Sequence, residues 1–259
     1  MADLQGEQSK VYRAVETFGD LFILNLAFIL FSIPIVTFGA SATALYSVSL
    51  KMCTKEEGPI WRSFVDAFKK NFKKSTIVWL ILIAIAAVIE VEYIYVSNFT
   101  GTIVTIYKGV IIVESLFLIL VLVFIFPLLA RYENTVFKSI TNAALLSLGN
   151  LWPFLKMLVA WVMPVFLSFY NIGVFYATFY VWLIFMFALI AFGTSHTALK
   201  VFKKIEKAQA DKNPQAQAIE DASESNQSEG DDDNQPPKAT SNNNRIKRDG
   251  SLSRHLYHK

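Results

Sequence analysis

Three glutamates interrupt apolar runs of the sequence, and their carboxyl groups are the side chains best placed for chemistry. Glu90 and Glu92 lie near the end of the run 75–98, and Glu114 lies near the start of the run 108–126. An ionisable side chain within a membrane is costly, so such residues often mark a binding site. A shared acidic site would bind a proton, a cation or a sugar hydroxyl. The alternative is an interfacial position, where the carboxylates bond to neighbouring tyrosine and lysine side chains.

The spacing of the glutamates limits how many of them can meet. Glu90 and Glu92 are two residues apart and project in different directions from a helix. We therefore expect only one of them to face the bundle interior together with Glu114.

Signatures of catalysis are absent from the sequence. It contains no phosphate-binding glycine loop, no H-E-x-x-H and no G-x-S-x-G. The three histidines are dispersed, with His255 and His258 near the C-terminus and His196 far upstream. Cys53 is the single cysteine, which excludes an internal disulfide and disfavours a cysteine-based metal site. We expect no enzymatic activity, no cofactor and no metal.

The elements that carry these residues are too apolar for a soluble domain. Of 259 residues, 54% are hydrophobic and 17% are charged, whereas soluble domains have roughly 45 to 50% apolar and about 25% charged residues. The runs 77–89, 115–130 and 172–192 approach or reach the length of about 20 residues that crosses a bilayer. Residues 157–199 contain no Asp, Glu, Lys or Arg, which predicts two spans joined by a tight turn near 170–174.

A proline and a glycine divide the segment 21–50, and we treat Pro34 and Gly39 as candidate functional residues. The run before the proline would rise about 25 Å as a helix and the run after it about 21 Å, so neither comfortably crosses a core of about 30 Å. One interpretation is a hairpin of two helices broken at "PIVTFG", which places the N-terminus in the cytoplasm. The other is a single kinked or tilted span with an external N-terminus. The lengths favour the hairpin.

The loop charges predict which ends of the spans are cytoplasmic. Residues 51–74 contain seven basic and three acidic residues, so the positive-inside rule places them in the cytoplasm. Arg131 and Lys138 fall in a second inner loop, and four lysines between 200 and 207 follow the last span. The C-terminus is therefore predicted to be cytoplasmic.

An amphipathic helix is predicted after Pro59, within the first basic loop. Its apolar residues recur at helical spacing, and basic residues occupy the other faces. This pattern favours a helix in the inner headgroup layer, while docking of a cytoplasmic protein is the alternative. The basic pattern lacks the features of nucleic-acid binding. The predicted membrane-surface residues are Trp61, Arg62, Lys69, Lys70, Lys73 and Lys74.

A polar tail follows the last span. Residues 208–259 have few apolar side chains and one aromatic, Tyr257, which is too little to build a core. We predict a transmembrane domain over 1–207 and a disordered cytoplasmic tail over 208–259.

Two blocks of the sequence carry a family likeness. "SIPIVTFGASATALY" (32–46) and "EEGPIWRSFVDAFKKNFKKSTIVWLI" (56–81) resemble the YesL-like family of bacterial integral membrane proteins, also known as domain of unknown function 624. The resemblance covers roughly 15–205. It implies a plasma-membrane protein of Gram-positive-type bacteria with a connection to carbohydrate use, and it implies no reaction.

The sequence therefore predicts an all-α, polytopic transmembrane bundle of five to six membrane helices with one cytoplasmic amphipathic helix. For function, the resemblance favours an accessory or regulatory component of carbohydrate uptake or utilisation, with sugar-permease subunits or another membrane protein as partner. The broken segment and the glutamates favour the alternative, a small-solute or ion-coupled transporter.

Overall fold

The computed structural model describes residues 2–56 and 58–212, and every regular element in this part of the chain is a helix. The predicted all-α fold is confirmed. The α-helices are α1 Ala2–Ser32, α2 Phe38–Thr54, α3 Ile60–Ser97, α4 Thr102–Arg131, α5 Val136–Gly149, α6 Leu151–Ser168, α7 Ile172–Val181 and α8 Phe187–Lys212. A 3₁₀ turn, Ile35–Thr37, precedes α2, and a π-helical stretch, Trp182–Met186, joins α7 to α8.

Within residues 2–56 and 58–212, five helical stretches are long and apolar enough to cross a membrane, as expected of a multi-pass membrane protein. The predicted tight turn is present, because α6 ends at Ser168 and α7 begins at Ile172. The five stretches are Val15–Ser32, Ile60–Ser97, Thr102–Arg131, Leu151–Ser168 and Ile172–Gln209.

The segment 21–50 is two helices and not one continuous helix. Helix α1 ends two residues before Pro34, whose ring removes a backbone donor and disfavours the preceding helical turn. The Thr37 hydroxyl donates to the Phe31 carbonyl at 2.7 Å, and the Ser41 hydroxyl donates to the Phe28 carbonyl at 2.9 Å. The first bond satisfies a carbonyl that the interrupted α1 leaves open, and the second ties α2 to α1. The side of the membrane on which the N-terminus lies stays a prediction.

Helix α3 joins two elements that the sequence suggested were separate. It runs for 38 residues from Ile60 to Ser97, about 57 Å at 1.5 Å per residue. No proline or glycine interrupts it, so the amphipathic segment continues directly into the next span. The apolar face of that segment packs on protein, with the Phe31 ring 5.5 Å from Phe64 and 4.8 Å from Phe68.

Helix α5 occupies a region that sequence reasoning treated as an inner loop. Val136 to Gly149 are helical, so Lys138 lies on a helix. Near the end of α5, the Ser147 hydroxyl donates to the Leu120 carbonyl of α4. The short helix thus packs against the apolar second half of α4.

The core of the bundle centres on α2. Twelve of its residues are buried, many of them small, including Gly39, Ala40, Ser41, Ala42 and Thr43. Small side chains let helix backbones approach closely, which is how membrane helices gain packing energy.

The chain divides into two units, Met1–Lys207 and Ala208–Lys259. Most of the second unit, residues 213–259, lies outside the described residues, so the predicted disordered tail stays a prediction.

Candidate functional site

Helix α3 packs against one side of the break between α1 and α2. The indole N–H of Trp79 donates to the Ile35 carbonyl at 2.8 Å. A Cβ atom on Gly39 would lie 2.4 Å from Trp79 Cβ and 2.6 Å from the Ser75 carbonyl oxygen. Only glycine fits at that position without a shift of α3. Pro34 itself is exposed at the turn.

A cavity of about 410 Å³ lies beside this break, with walls from α1, α2, α3, α4, α6 and α8. Its lining is overwhelmingly apolar. The aromatic residues of the wall, apart from Tyr46, are Phe28, Phe38, Trp79, Phe126, Trp161 and Phe187.

One hydroxyl group reaches the cavity wall, and it belongs to Tyr46. The Trp161 indole N–H donates to the Tyr46 oxygen at 2.9 Å, and the hydroxyls of Tyr46 and Thr194 are 3.2 Å apart. Thr194 donates its own proton to the Ile190 carbonyl at 2.7 Å, so Tyr46 is the donor to Thr194. The network ties α2, α6 and α8 together beside the cavity.

Asn25 interacts with the π-helical stretch. Its amide nitrogen donates to the carbonyls of Trp182 at 3.2 Å and Leu183 at 2.8 Å, and its amide oxygen accepts from the Ala188 N–H at 3.1 Å. Asn25 is fully buried. Its side chain therefore supplies partners where the regular hydrogen-bond ladder between α7 and α8 is interrupted.

The structure brings together two of the three predicted glutamates. Glu92 of α3 and Glu114 of α4 line one cleft of about 570 Å³ whose other walls are apolar. Their carboxyl groups are within hydrogen-bonding reach of each other. Glu92 is half-buried and Glu114 is exposed, so the cleft lies on the surface of the protein and not in the bundle interior. Glu90 is exposed and does not line the cleft.

The predicted membrane-surface residues occupy the first half of α3 with mostly exposed side chains. Lys70 forms a salt bridge with Glu133 at 2.8 Å, and Lys74 donates to the Tyr132 carbonyl at 3.3 Å. The hydrogen bond from Lys70 lowers the pKa of the Glu133 carboxyl below its ordinary value. The other four residues, Trp61, Arg62, Lys69 and Lys73, are exposed.

A second group of charges joins the end of α4 to α8. Arg131 donates to both carboxylate oxygens of Glu206, at 2.9 and 3.2 Å, and Tyr132 donates to Glu206 at 2.6 Å. Burial, together with the bond to Glu206, raises the pKa of Tyr132 to about 12. This bidentate arrangement anchors α8 to α4.

The cysteine and one histidine, which the sequence left isolated, meet in the structure. Cys53 Sγ lies 3.2 Å from His196 Nδ1, and the same nitrogen lies 3.1 Å from the Phe192 carbonyl oxygen. Across residues 2–56 and 58–212, no three His, Cys, Asp or Glu side chains form a group that could hold a metal ion.

Sequence reasoning missed the contacts of Tyr46, Trp161 and Thr194. Each of these residues has a polar side-chain group within or beside an apolar run, and this pattern could have marked them as candidates for contacts between helices. Their partners, however, lie 115 and 148 positions apart, so the pairing could not be assigned from spacing.

Comparison with known proteins gives one family match. Residues 21–93 match the family described as "Protein of unknown function, DUF624", as predicted for domain of unknown function 624 over this segment. The matched region contains the helix break, α2 and most of α3. No curated protein matches the chain, and no solved structure matches it.

Proposed function

We propose that the protein, whose residues 21–93 match a family of unknown function, is an accessory or regulatory component that docks on a second membrane protein. We propose further that this association serves carbohydrate uptake or utilisation, with a sugar-permease subunit as the partner. The resemblance of residues 32–46 and 56–81 supports the carbohydrate connection. The observation that carries the docking role is the Glu92–Glu114 pair on the surface of α3 and α4.

The position of this pair calls for a partner. Ionisable side chains within spans almost always face the bundle interior or a water-filled cavity. Here Glu114 is exposed, and the surrounding wall of Val88, Val113 and Phe117 offers no hydrogen-bond donor from its side chains. A partner helix with a lysine, arginine or amide side chain at this depth would supply the missing donors. In model peptides, such interhelical bonds stabilise association by about 1 to 2 kcal/mol.

Co-purification from native membranes tests the docking role. We expect the same membrane partner with wild type and with Glu90→Gln, because Glu90 is exposed on the same helix but outside the cleft. The double variant Glu92→Gln/Glu114→Gln should lose it. Identification of the partner as a sugar-permease subunit supports the carbohydrate role. A partner that the double variant retains in full would contradict docking through the glutamates.

A transporter is the second candidate, and the cavity beside the helix break favours it. Discontinuous helices often build the binding sites of transporters. Liposomes that contain this protein alone distinguish the two functions. Substrate flux into such liposomes would show that the protein is itself a transporter and would contradict the accessory role. Flux that occurs only in the presence of the co-purified partner supports the accessory role.

A further inference from the structure

We infer that the cavity beside the helix break binds one acyl chain of a bilayer phospholipid, which enters between α4 and α6. The inference is independent of the proposed accessory role, because it concerns a different surface and different residues from those of the Glu92–Glu114 cleft.

The exposure of the lining residues locates the mouth of the cavity. Leu45 and Tyr46 on α2 are 1% and 3% exposed, so the cavity is closed on that side. Ile119 and Leu122 on α4 are each 41% exposed, and Val162 on α6 is 53% exposed. These three residues lie well inside helices that are long and apolar enough to span a membrane. The mouth therefore opens towards the hydrocarbon of the bilayer.

The chemistry of the wall selects a hydrocarbon occupant. Its polar side-chain groups are the Tyr46 hydroxyl and the indole N–H groups of Trp79 and Trp161. Each already has a partner within the protein, at 2.8 to 3.2 Å. A sugar needs several free hydrogen-bonding groups, and a buried water needs two to four polar partners. An acyl chain needs none.

The size of the cavity favours an occupant. Protein interiors contain few voids larger than a water molecule, and the residues around an empty void lose dispersion contacts. About 410 Å³ is many times the roughly 30 Å³ that a water molecule occupies in the liquid. Lipid chains are the apolar molecules that surround the mouth, so the bilayer itself supplies the occupant.

Photolabelling in vesicles tests the inference with the full-length protein. The vesicles contain phosphatidylglycerol with a diazirine near the middle of one acyl chain, and adducts are mapped by mass spectrometry after irradiation. We expect adducts on Leu45 and Tyr46, which the surrounding bilayer cannot reach. Leu24 is 0% exposed and does not line the cavity, so it should remain unlabelled.

A matched pair of substitutions on α6 tests the entrance. Val162→Trp places a large side chain at the mouth and should abolish the adducts on Leu45 and Tyr46. Val159→Trp alters a residue of similar exposure, 48%, that does not line the cavity, and should leave them unchanged. The melting temperature of each variant verifies that it is folded.

Three results would overturn the inference. The first is labelling confined to the exposed outer surface of the wild-type protein. The second is labelling of Leu45 by a free diazirine fatty acid but not by the phospholipid, which would exclude a bilayer lipid as the source. The third is labelling of Leu45 that persists in folded Val162→Trp, which would exclude entry between α4 and α6.

Discussion

Two regions of the bundle contain similar proportions of apolar residues but differ in how much of their surface packs against the rest of the protein. The inner region, which comprises residues 15–54, buries Asn25, Ser41, Thr43 and Ser49 among its leucines and alanines. The outer arm, residues 84–117, exposes most of its side chains and buries Val96 and Ile111.

The contrast shows what fixes a membrane helix in place. Lipid tails are as apolar as leucine, so apolar surface alone gives little preference for protein over bilayer. In the inner region, Asn25 and Ser41 bond across helices, and small residues permit close approach. The outer arm has few such contacts with the rest of the protein. Its surface is therefore free to meet lipid or, as we propose, a partner.

The largest difference should come from replacing one asparagine in each region. Asn25→Ala removes three hydrogen bonds and leaves the buried Ala188 N–H and the part-buried carbonyls of Trp182 and Leu183 without that partner. We expect a loss of about 3 kcal/mol in the free energy of unfolding, since each buried unsatisfied group costs about 1 to 3 kcal/mol. Steric trapping in detergent micelles measures this free energy.

Asn98 at the end of α3 is the matched residue of the outer arm. It is exposed and bonds only within its own helix, to the Ile94 carbonyl at 2.8 Å. We expect Asn98→Ala to change the free energy of unfolding by less than about 0.5 kcal/mol. Equal losses in the free energy of unfolding for Asn25→Ala and Asn98→Ala would show that polar contacts stabilise the two regions to the same extent.

A glycine pair should give the next largest difference. Gly39→Ala forces a methyl group against the backbone of α3 at Ser75, and overpacking of this kind costs about 1 to 3 kcal/mol. Gly109 on α4 has open space at the corresponding position. Gly109→Ala should stabilise the protein by about 0.5 to 1 kcal/mol through higher helix propensity. Stabilisation by both substitutions would show that α2 and α3 are not in close contact.

The sequence contained much of the fold because the membrane imposes simple constraints on length and polarity. Continuous apolar runs predicted the spans, and the uncharged stretch 157–199 predicted the turn between α6 and α7. Pro34 predicted the end of α1, since proline disrupts the helical hydrogen-bond ladder. The spacing of Glu90 and Glu92 allowed only one of them to join Glu114, and in the structure it is Glu92.

What could not be predicted depends on how helices pack against each other. The pairing of Tyr46 with Trp161 and Thr194 requires three helices to meet at one level, and no local pattern encodes that. The continuity of α3 was hidden because a change from charged to apolar composition near Ser75 resembles a boundary. Here the absence of proline and glycine was the more informative signal.

A tyrosine pair tests the network beside the cavity and should give a smaller difference. Tyr46→Phe leaves the Trp161 N–H without its acceptor and Thr194 without its donor. We expect a loss of about 1 kcal/mol in the free energy of unfolding, which is typical for the removal of one hydrogen-bonding group. Tyr95 on the outer arm is 67% exposed, so Tyr95→Phe should have no measurable effect. If Tyr46→Phe leaves the free energy of unfolding unchanged, the network does not hold α2, α6 and α8 together.

The smallest effect should come from the exposed salt bridge at the basic end of α3. Lys70 lowers the pKa of Glu133 in the folded state. The salt bridge therefore stabilises the protein fully at pH values above the pKa of an unfolded glutamate, and this stabilisation is lost as the pH falls through the lowered pKa of Glu133. Both side chains are largely exposed, at 70% and 81%, and salt screens such pairs. Glu133→Gln should therefore lower the melting temperature slightly at neutral pH and low salt, and match wild type in acid or at high salt. Glu90→Gln on the outer arm serves as the control and should show no such dependence. A difference between Glu133→Gln and wild type that persists after Glu133 is protonated would mean that its contribution is not electrostatic.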